Sequence, residues 1–579
     1  MKLRDRALIG VLSLALIALS VAAIAPSLHS SDDGTGEPSP AVPTSRPFVE
    51  GVLGRATNAS PFGARSAADR ALVALLFRGL VRLGPGSSVV GDLAARWDVD
   101  ASGGVWTFHL RPDQHWEDGE PITADDVAFT VGVLTDPGYT GPGAESWRDV
   151  QASIVDPLTV QLRLTTPIGG FLQAATQPIA PAHLLGFIPP DQLAGDPFGE
   201  QPIGSGPFRL VSLDSSRAVL AASTPLDVGP GIPGRPNFAT PRPTDSLGAA
   251  EPSAHADVPV PYLDSLQLRY YDDVDRLRAD WDAGDLDAVS GLPPDEASDF
   301  ASKAGVRLVR YPGTTLLAAT LDLRPTRNEF QDSPVRRALL AAIDRNALVA
   351  GALAGLGKRA DSLIPPSSAL FDPKASVEVP YDPAAARKAL RDAGWRQSGG
   401  SWIPKGAKDP LVIEVLSPES TANPIAYATA TAVIEAWHGI GLAARLVPLP
   451  ASELVGDRLA HGNFQVAVVP LAIGLDPDLY PLLAASQTRT GGSNLSGLQD
   501  PDLDKLLVAA RTPLDDAARV AAYATLQARL AERVYVLPLA FRDDYVVFRD
   551  TVVGPQPRAV GAPGDRYWDV LTWRLADGS

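Results

Sequence analysis

The 579-residue sequence contains no cysteine, so disulfides, thiol catalysis and cysteine-rich metal sites are excluded at the outset. Histidine is scarce: His29, His109, His115, His183, His255, His438 and His461 are scattered, and none has the spacing of a zinc site. Basic residues are outnumbered, 50 Lys and Arg against 67 Asp and Glu. The resulting net charge of −17 argues against a nucleic-acid binder, which gains affinity by neutralising phosphate. Catalytic motifs are absent too. Gly357-Lys358 lacks the glycine spacing of a phosphate loop, and Arg359 stands where Ser or Thr would hold magnesium. Asp500, Asp502 and Asp504 begin like a calcium loop, but Lys505 replaces its glycine and Arg511 its closing glutamate. Acids in the first turn of an exposed helix explain them better. Ser205 lies between glycines without nucleophile-elbow spacing. No enzyme activity, cofactor or metal is indicated.

What is present is a long chain of ordinary globular composition, 45% hydrophobic and 7% aromatic, too long for one core and so expected to form several lobes. Lys2, Arg4 and Arg6 precede an apolar run from Ala7 to Ala25, enough to span a bilayer with the basic flank in the cytoplasm. Ala23-Ile24-Ala25 has the form of a cleavage site, yet Pro26 directly after it hinders the peptidase. Residues 1–26 are therefore read as a membrane anchor, with a cleaved signal peptide as the alternative. Residues 27–47 are Ser-, Asp-, Gly-, Pro- and Thr-rich and are expected to be a flexible linker.

Beyond residue 48, strand and helix patterns alternate. Leu72, Leu75, Leu76 and Leu80 recur at helical spacing, predicting a helix over 67–80 ended by Gly79. Thr123 is a candidate N-cap with Asp126 in the first turn, and Gln161–Thr165 alternates like a half-buried strand. Ser333-Pro334 reads as a cap followed by a first-turn proline. Residues 223–261, rich in Pro, Gly and Ala, read as a long mobile insertion. Trp395, Trp402, Asp264 and Asp344 are read as structural, and Arg78 as a solvated helix end.

Several of these segments occur together in a known order. Gly91-Asp92-Leu93-Ala94-Ala95-Arg96-Trp97 precedes Trp106–Arg111, then Trp116-Glu117-Asp118-Gly119 and Pro121–Val127. Gln201-Pro202-Ile203-Gly204-Ser205-Gly206-Pro207-Phe208, Asp285–Val289, Ser333–Leu339, Tyr381-Asp382-Pro383 and Asp500–Leu507 follow. The series resembles family 5 of the extracellular solute-binding proteins, the peptide- and nickel-type receptors of bacterial ABC importers. The resemblance implies an α/β fold of the periplasmic-binding-protein type II, with two large lobes, a hinge and a small extra domain. Domain I would comprise 48–90, 198–315 and 535–579, domain II 91–197 and domain III 316–534, hinged near Thr315–Leu323 and Leu537–Phe541. It also implies capture of a peptide-like or other small solute, permease subunits in the membrane as partners, and a monomer on the extracytoplasmic face. With no cysteine to carry a lipid, an uncleaved N-terminal helix would serve as tether; otherwise the protein is secreted or periplasmic.

Ligand-binding positions implied by the resemblance are Thr57, Asn58 and Ser60 in the first-strand loop, and Ile473, Gly474, Leu475 and Asp476. Ser420 joins them, ahead of Asn423-Pro424. Two charge anchors of peptide-binding relatives are replaced. Ile473 stands where an aspartate meets the ligand's amino terminus, and Ser420-Thr421-Ala422 replaces an Arg-Pro-Tyr group. Leaving a peptide ammonium unpaired in a closed cleft costs several kcal/mol. Either the register is shifted, so that Asp476 or Asp478 takes the role, or the ligand lacks a free amine; the second is favoured because the helix after Asn423 aligns without gaps. The competing reading is a membrane-anchored sensor or scaffold that keeps the fold without transporting.

Overall fold

The computed structural model describes residues 46–223 and 261–576, except residues 377 and 490. The expected anchor, and nearly all of the expected linker and of the 223–261 insertion, lie outside the described residues. Among the described residues no helix is long and apolar enough to cross a membrane.

The principal strands in chain order are β1 (Phe48–Leu53), β2 (Ala94–Val99), β3 (Val105–Leu110), β4 (Val150–Asp156) and β5 (Thr159–Leu164). There follow β6 (Phe208–Leu213), β7 (Arg217–Ala222), β8 (Ser265–Tyr271), β9 (Ala288–Ser290) and β10 (Val306–Leu321). The last five are β11 (Gly357–Arg359), β12 (Val412–Pro418), β13 (Ala443–Leu449), β14 (Val466–Ala472) and β15 (Val536–Arg549). Four of them, in the order β2-β3-β5-β4, form a small antiparallel sheet. The other eleven build one continuous sheet, β13-β12-β14-β10-β15-β9-β1-β8-β7-β6, with β11 paired to β15.

Among the described residues that sheet contributes to four hydrophobic cores, of which the two largest lie on opposite sides of the lobe junction. Phe48, Leu266, Val309, Tyr311, Val546 and Phe548 belong to the first, which extends without a break into the small lobe through Trp106, Phe108 and Leu162. Leu316–Leu321 and Val536–Phe541 belong to the second, with Trp395, Trp402 and Trp437. The two longest strands, β10 and β15, therefore pass from one large lobe to the other. Their ladder slips between Tyr311 and Thr315 and again between Leu317 and Ala318. Pro312 cannot donate to the ladder, and Gly313 lies so close to the Arg542 carbonyl that a Cβ there would overlap it. The crossing thus sits at 311–316 and 541–545, a few residues from the segments expected. Because Val536–Phe541 packs in the second core, the C-terminal strand does not divide at 535.

Local signals explain most elements. Helix α1 (Ala67–Leu76) begins at a capping box, with Asp69 N–H on Ser66 Oγ at 2.9 Å and Ser66 N–H on Asp69 Oδ2 at 2.9 Å. It ends four residues earlier than its leucine pattern predicts. The Leu76 carbonyl accepts instead from Ser205 N–H (2.9 Å) and Gly206 N–H (2.8 Å), so the Gly-Ser-Gly-Pro turn terminates the helix. A Cβ at Gly206 would stand 2.5 Å from the Leu75 carbonyl oxygen, which is why glycine is needed there. Helix α2 (Ala124–Thr135) starts at the expected cap, Thr123, and Asp126 closes a capping box there, with Thr123 N–H on Asp126 Oδ2 at 2.9 Å. At Ser333-Pro334 the cap position is Asp332, and Ser333 Oγ instead donates to the Glu532 carbonyl at 2.9 Å. Asp500 caps α3 (Pro501–Arg511) through Asp502 and Leu503 N–H at 3.0 and 3.1 Å. Trp395 and Trp402 are buried, and Asp344 caps the helix that follows it.

A buried charge cluster ties the C-terminal segment to the first lobe. Glu50 is fully buried on β1 and accepts from Arg566 Nη2 at 2.7 Å and from the Tyr567 hydroxyl at 2.9 Å. Glu50 holds Arg566 charged, raising its pKa further. Removing one partner of such a pair strands the other. Arg566→Met is expected to destabilise the fold by about 3–5 kcal/mol, with the Glu50→Gln double variant recovering part of the loss. Urea unfolding midpoints at constant m would measure both.

Candidate functional site

The first-strand loop is organised from within. Asp69, nearly fully buried at the start of α1, accepts from Thr57 N–H (2.7 Å) and Asn58 N–H (3.1 Å). The Asn58 amide covers Gly63 and Gly199 and donates to the Ala194 carbonyl at 3.0 Å, while its oxygen accepts from Ser60 N–H at 2.8 Å. Thr57, Asn58 and Ser60 thus hold the loop in shape, and Ser60 is buried. Their neighbours Pro61 and Ala64 reach a cavity of about 1540 Å³.

That cavity lies between the first large lobe and the small lobe, walled by α1, the 111–117 and 173–178 segments, the Gly204–Pro207 turn and residues 558–571. None of its described lining residues comes from 316–534. Arg78, expected as a solvated helix end, is instead largely buried in this wall. Its Nε meets Asp92 at 2.7 Å and its Nη1 meets Gln114 at 2.7 Å, bracing one lobe against the other. The Arg111 Nε donates to the Asp92 carbonyl at 2.8 Å.

Other charges on the wall have no such pairing. Arg558 is only 9% exposed. Its Nη1 donates to the Gly84 carbonyl and its Nη2 to the Asp565 carbonyl, both at 3.2 Å, and its guanidinium lies 5.0 Å from the Trp568 ring centre. Its Nε has no partner among the described residues. Burial lowers the pKa of Arg558, and burial likewise lowers that of Arg70. The Asp565 carboxylate accepts from Gly561 and Ala562 N–H at 2.8 and 2.9 Å, and burial raises its pKa. Glu117, with one buried oxygen unpartnered among the described residues, is pushed up to about 7, chiefly by burial.

The second large lobe reaches this region through the turn 473–480. Gly474 takes a left-handed conformation (φ 84°), and the Leu475 side chain lies 3.9 Å from where a Cβ of Gly561 would stand. Asp476 pairs with Arg519 of helix α4 (Asp516–Arg533) at 2.6 Å, and Asp478 with Arg511 at 2.9 Å. The Tyr523 hydroxyl donates to the Pro477 carbonyl at 2.8 Å. Against this turn rests the small-lobe loop at Gly169-Gly170, where Gly169 N–H donates to the Arg511 carbonyl at 2.8 Å. A Cβ at Gly169 would overlap the Pro513 carbonyl, and one at Gly170 would meet the Asp476 carboxylate at 2.5 Å.

The eight positions expected from the sequence do not share one wall. Ile473 is 6% exposed and packs into the second core, so its apolar side chain serves the lobe interior. Gly474, Leu475 and Asp476 form the turn that approaches the first lobe. Thr57, Asn58 and Ser60 form the separate loop described above, and Ser420 is exposed beyond the end of β12. Neither Asp476 nor Asp478 stands free for an ammonium, since each carboxylate is held by an arginine of its own lobe. Arg70, Glu117, Arg558 and Asp565 escaped sequence reasoning. Glu117 lies in the Trp116–Gly119 run, which assigns it no role, and no motif marks the other three; only the folding of the C-terminal segment across α1 brings Arg558 and Asp565 to the cavity.

Two large lobes joined by crossing strands, with facing contacts and a cavity beside them, define a lobed binding protein of the type II periplasmic-binding class. Structural similarity agrees. The oligopeptide-binding protein AppA of Bacillus subtilis, solved with a nonapeptide, matches with a TM-score of 0.72 at 21% identity, covering 92% of this chain and 99% of that one. The profile of bacterial extracellular solute-binding proteins, family 5 (middle region), matches residues 88–493. The chain belongs to that family. It is similar to protein XP55 of Streptomyces lividans, 29% identical over 446 residues covering 76% of this chain and 73% of that protein. The glutathione-binding protein GsiB of Salmonella typhi is 24% identical over 481 residues, 81% of this chain and 84% of its own.

Two outcomes follow from the geometry. Gly169→Ala is expected to hold the small lobe off the second large lobe, an overlap worth about 1–3 kcal/mol. Small-angle scattering would then show a wider molecule, with an unfolding midpoint close to wild type. For Glu117, the folded pKa lies above the ordinary 4.5. Its contribution to stability is full below 4.5, declines as pH rises, and is lost on passing through about 7. Glu117→Gln should therefore leave stability at pH 4 nearly unchanged and raise it above pH 7 by roughly 2–3 kcal/mol, read from unfolding curves across pH.

Proposed function

We propose that this protein is the substrate-binding component of an ABC importer, which captures a peptide-like solute by closure of its lobes and presents it to a membrane permease. It acts on the extracytoplasmic face as a monomer, held to the membrane by its N-terminal segment, and performs no chemistry on the ligand. One observation carries the reading. The two large lobes are joined through β10 and β15, whose ladder slips at Tyr311–Thr315, while the 474–476 turn meets the first lobe at Gly561 and the small lobe at Gly170. A bend at the slipped ladder separates those contacts without breaking either core. Family membership supports the same role, and relatives whose names specify peptide or glutathione binding support a peptide-like solute.

Closure on a ligand stabilises a receptor by mass action, by about 2.7 kcal/mol at a ligand concentration one hundred times Kd. Thermal unfolding of the full-length protein against free peptides, N-blocked peptides, sugars and metal chelates is expected to give upward shifts with peptide-like members. Shifts confined to sugars or chelates would replace the peptide reading with one of those classes.

A further inference from the structure

Resting on that receptor reading, we infer that the ligand carries an anionic group, a carboxylate or a phosphate, bound in the cavity between the first large lobe and the small lobe by Arg558 and Arg70. Among the described residues four carboxylates line the cavity: Asp92, Asp113, Glu117 and Asp565. Asp92 is taken by Arg78 at 2.7 Å, Asp565 by two backbone N–H groups, and Asp113 is exposed at the rim. Arg558 and Arg70 are left without a carboxylate within ion-pair distance among the described residues. Among the described residues the Arg70 side chain donates only to the Arg65 carbonyl, at 2.6 Å. Arg558 is nine-tenths buried, with its Nε unpartnered among the described residues and two weak carbonyl bonds at 3.2 Å on its other nitrogens.

For Arg558 the nearby carboxylates, Asp565 and Asp569, attract only from beyond ion-pair distance. Such a desolvated guanidinium is costly, and it is relieved by an oxyanion that accepts from its fork of N–H donors. The two elements that present these arginines are locked together: Gly564 packs against the Arg70 carbonyl and the Ala74 side chain, so closely that a Cβ there would stand 2.8 Å from the carbonyl oxygen. The opposite sign of anchor is spent elsewhere, because Asp476 and Asp478 are paired within the second lobe. Glu117, the remaining carboxylate, is kept largely neutral below about pH 7 by its burial, so there the unmatched charge facing the cavity is positive, which selects an acidic ligand despite the protein's overall charge of −17.

Titration calorimetry on the full-length protein would test this with three probe pairs: a tripeptide and a nonapeptide, each as free acid and as C-terminal amide, and glucose 6-phosphate against glucose. The acid or the phosphate is expected to bind at least about tenfold more tightly than its uncharged counterpart. Preference within the peptide pairs identifies a carboxylate, and preference within the sugar pair a phosphate. Arg558→Gln should erase the preference, bringing the two members of each pair to within about twofold of each other. Arg70→Gln, at a more exposed side chain, provides the same test should the first variant fold poorly. Equal affinities within every pair, or a preference that survives both substitutions, would overturn the anchor and leave the receptor reading standing. Absence of binding throughout these probes and the broader ligand panel would overturn both.

Discussion

The register slip between β10 and β15 is the constraint on which the rest of the architecture depends. A sheet that runs unbroken through both lobes keeps the backbone hydrogen-bonded across the junction, so the lobes need no third element to stay attached. An unbroken ladder is also stiff. At Tyr311–Thr315 the chain gives up that stiffness at one place, using a proline that cannot donate and a glycine pressed against the facing carbonyl. Val560 pairs with Gly313 beside the same point, so the C-terminal segment that carries Arg558 and Asp565 starts from the crossing. The cavity wall and the junction are one piece of structure.

Charge is handled differently on the two sides. In the first lobe Glu50 accepts from Arg566, Tyr567 and Ser290, which fixes the C-terminal segment against β1. In the second lobe Asp476 and Asp478 are claimed by Arg519 and Arg511, which holds the 473–480 turn rigid where it approaches its neighbours. Between the first large lobe and the small lobe lies a cavity where, among the described residues, Arg70 and Arg558 make no ion pair with a carboxylate. Edges whose carboxylates are held by arginines of their own lobe, around a cavity with arginines that have no carboxylate partner, suit a receptor, since the ligand can supply that partner while the edges keep their shape.

Glycines at the lobe contacts have a related part. Gly169 and Gly170 allow a backbone of the small lobe to lie directly against the Arg511–Pro513 segment and the Asp476–Arg519 pair. Contacts through backbone rather than through interdigitated side chains can part and re-form without repacking a core. The Gly206 turn, by contrast, is permanent, because it terminates α1 by supplying donors to the Leu76 carbonyl.

The sequence by itself determined the class of fold, the order of its segments and most local starts and stops. Capping residues such as Thr123 and Asp500 act within one turn of chain, and the buried tryptophans announce themselves by composition. Where it erred, the deciding partner was distant in sequence. The leucine pattern of α1 ran past Leu76, but a turn some 130 residues later closed the helix there. Ile473 was expected at a binding position from resemblance, yet its side chain was claimed by the core of its own lobe. Arg78 read as a surface end until Asp92 and Gln114 folded over it. The cavity arginines were illegible for the same reason. Nothing near Arg558 in the chain marks it as unpaired, because pairing is a property of what surrounds a side chain in space, and only the tertiary structure decides that.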